Sequence, residues 1–199
     1  MSSCTAIEEV LSGLQTLESA DRNTHLLALQ AYLKMDAPVF QELRKISVSD
    51  PSKPYGRNVL LQTDDLEVMI AHWTRETPCV PHDHGGSVGV IRVLQGRGRH
   101  RIWTVDADGL RTVCEETVAA GETMMCGSDL IHSMADDGAD EPFITLHMYI
   151  RSIDHMIVFD LEKEQTLMVD GACGAWIPDD GMELVRHRKN GFHPPQSMR

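Results

Sequence analysis

The sequence has few basic side chains, and this scarcity restricts its partners. Eighteen Lys and Arg residues face 30 Asp and Glu residues in a chain of 199, which gives a formal net charge of −12. This charge would repel a nucleic-acid backbone or an anionic membrane surface. No apolar run approaches the roughly 20 residues that a membrane-spanning helix requires. We therefore expect no nucleic-acid partner and no membrane partner.

Paired cysteines are also missing. The five cysteines are odd in number and include no CxxC pair; they are Cys4, Cys79, Cys114, Cys126 and Cys173. The first residues show neither the basic region nor the apolar core of a secretory signal. We therefore expect a cytoplasmic protein with reduced thiols and without a zinc knuckle.

Hydrophobic periodicity divides the chain into three parts. In residues 1–50, apolar side chains recur at helical spacing, which predicts an N-terminal helical cap over one side of a sheet. Residues 51–170 change to short extended runs between turns. Residues 171–199 form a tail with several glycines and prolines, which we expect to pack on the strands. The predicted helices cover residues 7–17, 23–35 and 39–46.

The central part has the pattern of a β-barrel or sandwich. Its strands are short and no helix is predicted between them, which argues against an alternating α/β sheet. Turn residues such as Gly96 and Asp108-Gly109 separate the strands. The predicted strands cover residues 58–61, 67–73, 88–94, 99–105, 110–118, 123–125, 143–150 and 156–159.

The strongest candidate for chemistry is the segment His82-Asp83-His84. In an extended chain, residues i and i+2 point to the same side, so both imidazoles can meet one metal ion. An isolated pair of this kind is more often a polar loop than a metal site. Its sequence context therefore decides the interpretation.

The spacing around this pair resembles the two metal-binding motifs of cupins. Gly89 and Gly96 follow His84 at the intervals of the first motif. His132 follows Gly121 at the interval of the second. The resemblance implies a mainly β, cupin-like small barrel or jelly roll with the helical cap at its N-terminal end. Most cupins have a glutamate ligand at the position of Gly89, so the implied ligands are three neutral histidines: His82, His84 and His132.

A metal held by three neutral histidines keeps its full positive charge and has open coordination positions. Such a centre suits a non-haem iron oxygenase that takes an anionic thiolate and dioxygen. Zinc accepts the same three ligands together with a water molecule. The ligand set therefore leaves the metal open.

A second group of polar side chains lies in the segment from Thr145 to Tyr149. Alternation along a strand would place Thr145, His147 and Tyr149 on one face, with the apolar residues between them facing the other way. Buried polar side chains require partners, so we expect a relay of hydroxyl, imidazole and phenol directed toward the metal site. A satisfied polar network without a catalytic role is the alternative.

Several segments together resemble the cysteine dioxygenase family of thiol dioxygenases, in its bacterial form. In that family the metal is iron(II), and the reaction adds both atoms of O2 to a small-molecule thiol, giving a sulfinic acid. The similar segments lie in order within residues 55–160; they are Tyr55-Gly56-Arg57-Asn58, His82-Asp83-His84-Gly85, Leu94-Gln95-Gly96 and Thr145-Leu146-His147-Met148-Tyr149.

The resemblance also implies roles for individual residues. Arg57 would bind the substrate carboxylate, because a planar guanidinium matches that group, and Tyr55 would support it. Tyr149, positioned by His147 and Thr145, would be the catalytic hydroxyl. The implied reaction is the conversion of L-cysteine to cysteine sulfinic acid.

Departures from the family bear on the substrate. Gly89 stands where the mammalian enzymes have a cysteine cross-linked to the relay tyrosine, so that thioether cannot form here. His155 and Met156 stand where those enzymes have threonine and cysteine, in the substrate region. Arg57 favours cysteine over 3-mercaptopropionate, because enzymes for the latter typically have glutamine at this position.

Other interpretations remain open. Mercaptosuccinate would need a second cation, for which Arg92, Arg99 and Arg151 are candidates. A cupin isomerase or hydrolase with zinc or manganese, or a non-catalytic cupin that binds a small molecule, would take up no oxygen. The family is often monomeric, so we expect a monomer. His100 lies in a basic run and is expected on a solvated strand face.

Overall fold

The computed structural model describes residues 38–74, 77–179 and 183–198. The helices predicted at 7–17 and 23–35 lie outside the described residues, and so does most of the predicted cap. What can be compared with the sequence is therefore the third helix, the strands and most of the tail.

The third predicted helix is present as α1, Pro38–Ile46. Proline suits the first position of a helix, because the N–H that it lacks would have no partner there. Val39 and Leu43, one helical turn apart, are its buried residues. In the described ranges, no helix has the length and apolar character needed to cross a membrane.

The rest of the described chain is built from β-strands and one short 3₁₀ turn at Pro195–Ser197. The strands are β1 Tyr55–Gln62, β2 Leu66–Trp73, β3 Val88–Gln95, β4 Arg97–Asp106, β5 Gly109–Ala119, β6 Thr123–Cys126, β7 Ile131–Asp136, β8 Ile144–Ile150, β9 His155–Asp160, β10 Gln165–Asp170 and β11 Val185–Asn190. All eight predicted strands are among them, most of them one to three residues longer at an end.

The strands pair into one five-stranded sheet and two three-stranded groups. The five-stranded sheet has the order β1-β2-β8-β3-β6, and the groups have the orders β5-β4-β7 and β11-β10-β9. His82 joins the two groups, because it forms an antiparallel bridge to His132 of β7 and another to Val158 of β9. The second layer is therefore continuous through the first predicted metal ligand.

The main core contains inward-facing side chains from both layers, including Ile91 and Tyr149 of the five-stranded sheet and Met134 and Val158 of the second layer. The two outer faces are covered differently. α1 packs its buried side chains on the outer face of β2, β3 and β8. Phe192 and Met198 of the tail cover Ile157 and Phe159 on the outer face of the second layer.

Three strands are absent from the sequence prediction: β7, β10 and β11. β11 lies in the tail and has the sequence VRHRKN, with no apolar alternation, because it is an exposed strand at the edge of its group. β7 is buried along its whole length, so both of its faces are constrained and the two-residue period is not visible. The tail accordingly contributes a strand as well as a covering segment.

Candidate active site

The backbone around His82 is held from both sides. The His82 N–H donates to the carbonyl of His132 at 2.9 Å, and the His132 N–H returns a bond to the His82 carbonyl at 3.0 Å. On the other side, the N–H of Asp83 donates to the Ile157 carbonyl at 3.0 Å. Because antiparallel partners lie directly opposite each other, the His82 and His132 rings meet, with centroids 4.6 Å apart.

The side chain of Asp83 fixes the same segment. Its Oδ1 accepts hydrogen bonds from the backbone N–H of Ile157 at 2.7 Å and of Gly85 at 3.2 Å. Gly85 and the following Gly86 then turn the chain with φ values of 63° and 86°, in the left-handed region that glycine adopts without strain. The segment thus holds His82 and His84 on one side of an extended chain, as predicted.

The three predicted metal ligands come together in the interior. His82, His84 and His132 are buried, and each offers a ring nitrogen within 4.8 Å of the others. The Nε2 atoms of His84 and His132 are 3.1 Å apart. The Nδ1 atom of His82 lies 2.9 Å from the Val80 carbonyl and so carries a hydrogen, which leaves the Nε2 lone pair of His82 free.

These rings fit a divalent transition metal. Burial lowers the pKa of His82 to about 4 and the pKa values of His84 and His132 well below 6.5, so all three rings stay neutral at pH 7. Neutral imidazole is the form that binds a metal. Two buried Nε2 lone pairs 3.1 Å apart repel each other unless a cation or a proton lies between them. The donor set therefore matches the group that the family implies.

Nearby carboxylates are engaged elsewhere. Asp83 accepts bonds from backbone N–H groups, as described above. Glu67 lines the same cavity but bonds to Arg57 and to the N–H of Ile153. Within the described residues, the group of side chains that could hold a metal ion consists of three histidines and no carboxylate.

The predicted relay is present on β8, and its hydrogen bonds have a definite direction. The Nε1–H of Trp73, which can only donate, bonds to Thr145 Oγ1 at 2.8 Å. Thr145 Oγ1 lies 2.7 Å from His147 Nε2, and His147 Nδ1 lies 3.0 Å from the Tyr149 hydroxyl. Burial lowers the pKa of His147 to about 3, so this ring carries only one hydrogen.

The direction follows from the fully buried Thr145 hydroxyl. The hydroxyl oxygen accepts a hydrogen bond from Trp73. Among the described side chains, the acceptor for the hydroxyl's own hydrogen is His147 Nε2. His147 then carries its hydrogen on Nδ1 and donates to the oxygen of Tyr149. Burial raises the pKa of Tyr149 well above 10 and keeps the phenol protonated. The Tyr149 hydroxyl hydrogen is therefore left to donate into the cavity.

The guanidinium of Arg57 is paired with a buried acid. Its Nη2 lies 2.5 Å from Oε1 of Glu67, which is fully buried, and the other oxygen of Glu67 accepts the Ile153 N–H at 3.3 Å. The ion pair fixes the Arg57 guanidinium in the cavity wall, and the Glu67 carboxylate offsets its positive charge. One bond from Nη2 leaves the other N–H donors of the guanidinium for a ligand.

The tail packs against Tyr55 of β1 and forms part of the cavity wall. The N–H of Ala175 donates to the Tyr55 hydroxyl oxygen at 3.0 Å, and the Tyr55 ring packs on Trp176 of the tail, with ring centroids 5.4 Å apart. Gly171 and Gly174 also line the cavity. The Tyr55 hydroxyl keeps its own hydrogen, since burial raises its pKa above 10.

Seven of the eight predicted site residues line one cavity. The eighth, Thr145, lies behind His147. Met156 lines the cavity, as the resemblance implies, but His155 does not, because its ring turns to Asp154 at 3.1 Å. The residues that line the cavity and belong to the prediction are Tyr55, Arg57, His82, His84, His132, His147 and Tyr149.

The three arginines considered as partners for a second carboxylate on the substrate do not line this cavity. Arg92 packs over the Phe40 ring at 5.1 Å, on the α1 side of the sheet. Arg151 donates to the Gly86 carbonyl at 2.9 Å, and Arg99 is exposed. Among the described residues that line the cavity, Arg57 is the one guanidinium.

The prediction for His100 is wrong. His100 is only 4% exposed, and its Nε2 lies 3.0 Å from Nδ1 of His132. Alternation along β4 explains the error, because the arginines at 97, 99 and 101 face outward while the residues between them face inward.

Two further residues near the site were missed: Glu67 and Trp73. Glu67 was visible as an acid inside the apolar run of β2, where a charged side chain needs a buried partner. Trp73 gave no comparable signal, because a tryptophan in a strand is usually a packing residue.

Comparison with known proteins first identifies the fold class. A solved structure from Klebsiella pneumoniae, described as an uncharacterized conserved protein with a double-stranded beta-helix domain, is 16% identical. The match covers 59% of this chain and 94% of that chain, with a TM-score of 0.50, and it confirms the predicted cupin-like fold. A cupin 2 conserved barrel domain protein from Leptotrichia buccalis is 18% identical over 54% of this chain and 46% of that one, with a TM-score of 0.43.

The family follows from a second comparison. The model of the cysteine dioxygenase type I family matches residues 8–162. The chain therefore belongs to this family, and the resemblance seen in the sequence is confirmed.

Proposed function

We propose that this protein is a non-haem iron(II) thiol dioxygenase that converts L-cysteine and O2 to cysteine sulfinic acid. One observation carries the proposal: the three-histidine cluster, Tyr149 and Arg57 line the same cavity. When bound by three histidines, iron(II) would supply open positions at which a thiolate and dioxygen meet. The reaction balances as RSH + O2 → RSO2H, with sulfur oxidised and oxygen reduced. We place the enzyme in the cytoplasm as a monomer.

Arg57 supports a carboxylate on the substrate. Its donors that are not used by Glu67 can take a carboxylate oxygen, and the buried Glu67 keeps the guanidinium in one orientation. Tyr55, whose hydroxyl retains its hydrogen, lies in the same wall. The cavity offers no second guanidinium among its described residues, which argues against the dicarboxylate mercaptosuccinate.

Tyr149 supports an oxidation at the cluster rather than simple binding. The relay leaves its hydroxyl hydrogen directed to the cavity, and its ring lies 4.9 Å from the ring of His84. A protonated phenol there can donate to oxygen atoms as negative charge develops on them. A sugar isomerase or an acyl hydrolase needs a general base, and a phenol that burial keeps protonated cannot act as one.

The experiment is an oxygen-electrode trace of iron-loaded protein. It would be offered cysteine, 3-mercaptopropionate, cysteamine and mercaptosuccinate, and the products would be checked by mass. We expect oxygen uptake with cysteine and a product heavier by two oxygen atoms. A different result would favour a cupin isomerase or hydrolase instead: no oxygen uptake with any thiol, and activity of the zinc- or manganese-loaded protein on a sugar or acyl substrate.

Replacing the paired charges tests the role of Arg57. Because Arg57→Ala alone would leave Glu67 buried and unpaired, the variant of choice is Arg57→Gln with Glu67→Gln. Losing a charged hydrogen bond should lower kcat/KM for cysteine by about 10- to 100-fold. Iron content should stay at the wild-type level, and cysteamine, which lacks a carboxylate, should be affected much less. Unchanged cysteine turnover in the double variant would contradict the assignment of Arg57 to the substrate carboxylate. The variant His132→Ala, by contrast, should lose the iron.

A further inference from the structure

His132 is connected to the protein surface by a line of hydrogen bonds. His132 Nδ1 lies 3.0 Å from His100 Nε2, and His100 Nδ1 lies 2.9 Å from Oε1 of Glu116. His100 on β4 is buried, while the Glu116 side chain on β5 is 51% exposed. The three residues lie on neighbouring strands, since β4 pairs with β5 on one side and β7 on the other.

Chemistry fixes the direction of this line. An ionised carboxylate can only accept, so the hydrogen between His100 and Glu116 is on His100 Nδ1. A neutral His100 then presents a lone pair at Nε2, which accepts a hydrogen from Nδ1 of His132. His132 is thereby left with its lone pair on Nε2, the atom that lies 3.1 Å from Nε2 of His84.

We infer that His100 and Glu116 are positioning residues that hold His132 in the tautomer and orientation needed to bind the metal. The inference rests on the metal centre in the proposed function, and neither residue touches the metal or the substrate. The other two ligands are held differently. The Val80 carbonyl serves His82, whereas Nδ1 of His84 has no hydrogen-bond partner among the described residues.

The direct test is the tautomer of His132 in the apoprotein, read by ¹⁵N NMR of histidine-labelled protein. Wild type should show the hydrogen of His132 on Nδ1. His100→Leu should give a mixture of both tautomers, while His100→Gln, whose amide oxygen can still accept from Nδ1, should restore the wild-type form. A purely structural role would not separate these two variants. A His132 tautomer unchanged in His100→Leu would overturn the inference.

Metal affinity gives the second measurement, by competition of Co(II) with a chelator. Loss of such an outer partner typically lowers metal affinity about 10- to 100-fold. We expect this loss in His100→Leu and a smaller one in Glu116→Ala, which is at the surface and should not impair folding. Glu115→Ala is the matched control, because Glu115 pairs with Arg101 instead. Equal affinity in Glu116→Ala and Glu115→Ala would count against the role of Glu116.

The two measurements separate this inference from the proposed function. Wild-type protein that binds Co(II) but oxidises no thiol would refute the proposed activity and leave the positioning role standing. Wild-type protein that binds no metal would refute the metal centre, and the NMR measurement would still decide whether His100 sets the tautomer of His132.

Discussion

Gly89 sets the place of the Tyr149 hydroxyl. It lies opposite Tyr149 in the pairing of β3 with β8. A Cβ atom at this position would meet the Met148 carbonyl and would lie 2.6 Å from Cδ1 of Tyr149. The tyrosine ring therefore occupies the space that a side chain at position 89 would need.

Gly89→Ala should consequently destabilise the protein and displace Tyr149. Overpacking a buried site typically costs about 1–3 kcal/mol, and urea denaturation would measure the loss. Gly127→Ala is the matched control, because a Cβ atom there has no neighbour within 4 Å. If both variants were equally stable, the close approach between Gly89 and the tyrosine ring would be disproved.

Individual residues differ in how far the sequence predicts them. Thr145, His147 and Tyr149 were predictable because polar residues at every second position of an apolar strand must share a buried face. The ion-pair partner of Arg57 was not predictable, because Glu67 lies on the neighbouring strand β2 and no local sequence pattern links the two residues. His100 was misjudged from its basic neighbours, although the two-residue period points it inward.

At the scale of elements, a single bridging residue completes the second layer. His82 bonds to β7, and its neighbours Pro81 and Asp83 bond to β9 through the backbone. The position of the candidate metal ligand His82 and the continuity of the sheet therefore depend on the same few peptide groups. Asp83 supports them by accepting from the buried N–H of Ile157.

Asp83→Ala should leave that N–H without its acceptor. A buried donor that loses its partner costs about 1–3 kcal/mol, so the free energy of unfolding should fall by this amount and Co(II) affinity should fall with it. Asp83→Asn keeps an oxygen that can accept and should lie between Asp83→Ala and wild type in both measurements. The same values for Asp83→Asn and Asp83→Ala would show that hydrogen bonding to Ile157 is not the cause.

Elements were predicted best where their polar and apolar residues recur with a clear period. α1 was identified because its apolar residues recur along one face, and β8 because its two faces differ in polarity. β11 was missed because it is exposed and mostly polar, and β10 was missed although it follows its partner β9 after a short turn, with Gln165 opposite Asp160. Sheet partners across the His82 bridge cannot be inferred from local composition either.

For the whole molecule, the buried histidines predict sensitivity to acid. Burial lowers the pKa of His82 to about 4 and of His147 to about 3, and it lowers the pKa values of His84 and His132 in the same direction. Below pH 6.5 the unfolded chain binds protons at these sites before the folded chain does. The free energy of unfolding therefore falls as the pH falls from 6.5 toward 4.

The metal-free protein should lose about 1.5 kcal/mol per buried histidine between pH 6.5 and pH 5. Urea denaturation at pH 7.5, 6 and 5 would measure it. His147→Gln should have a smaller slope of stability against pH, whereas His187→Gln, at an exposed position, should keep the wild-type slope. A flat stability over this range would show that the rings are not held neutral by burial.

The wall that Ala175 and Gly174 form beside Tyr55 has a practical consequence for anyone shortening this chain. The family match ends at residue 162, so a version trimmed there would retain the three clustered histidines, the relay and the arginine. It would nevertheless lack β10, β11 and the tail segment that closes the cavity around Tyr55. Such a fragment would also lack Leu167, Val169, Cys173 and Ala175, which are buried in the main core, so its inactivity would say nothing against the chemistry of the intact protein.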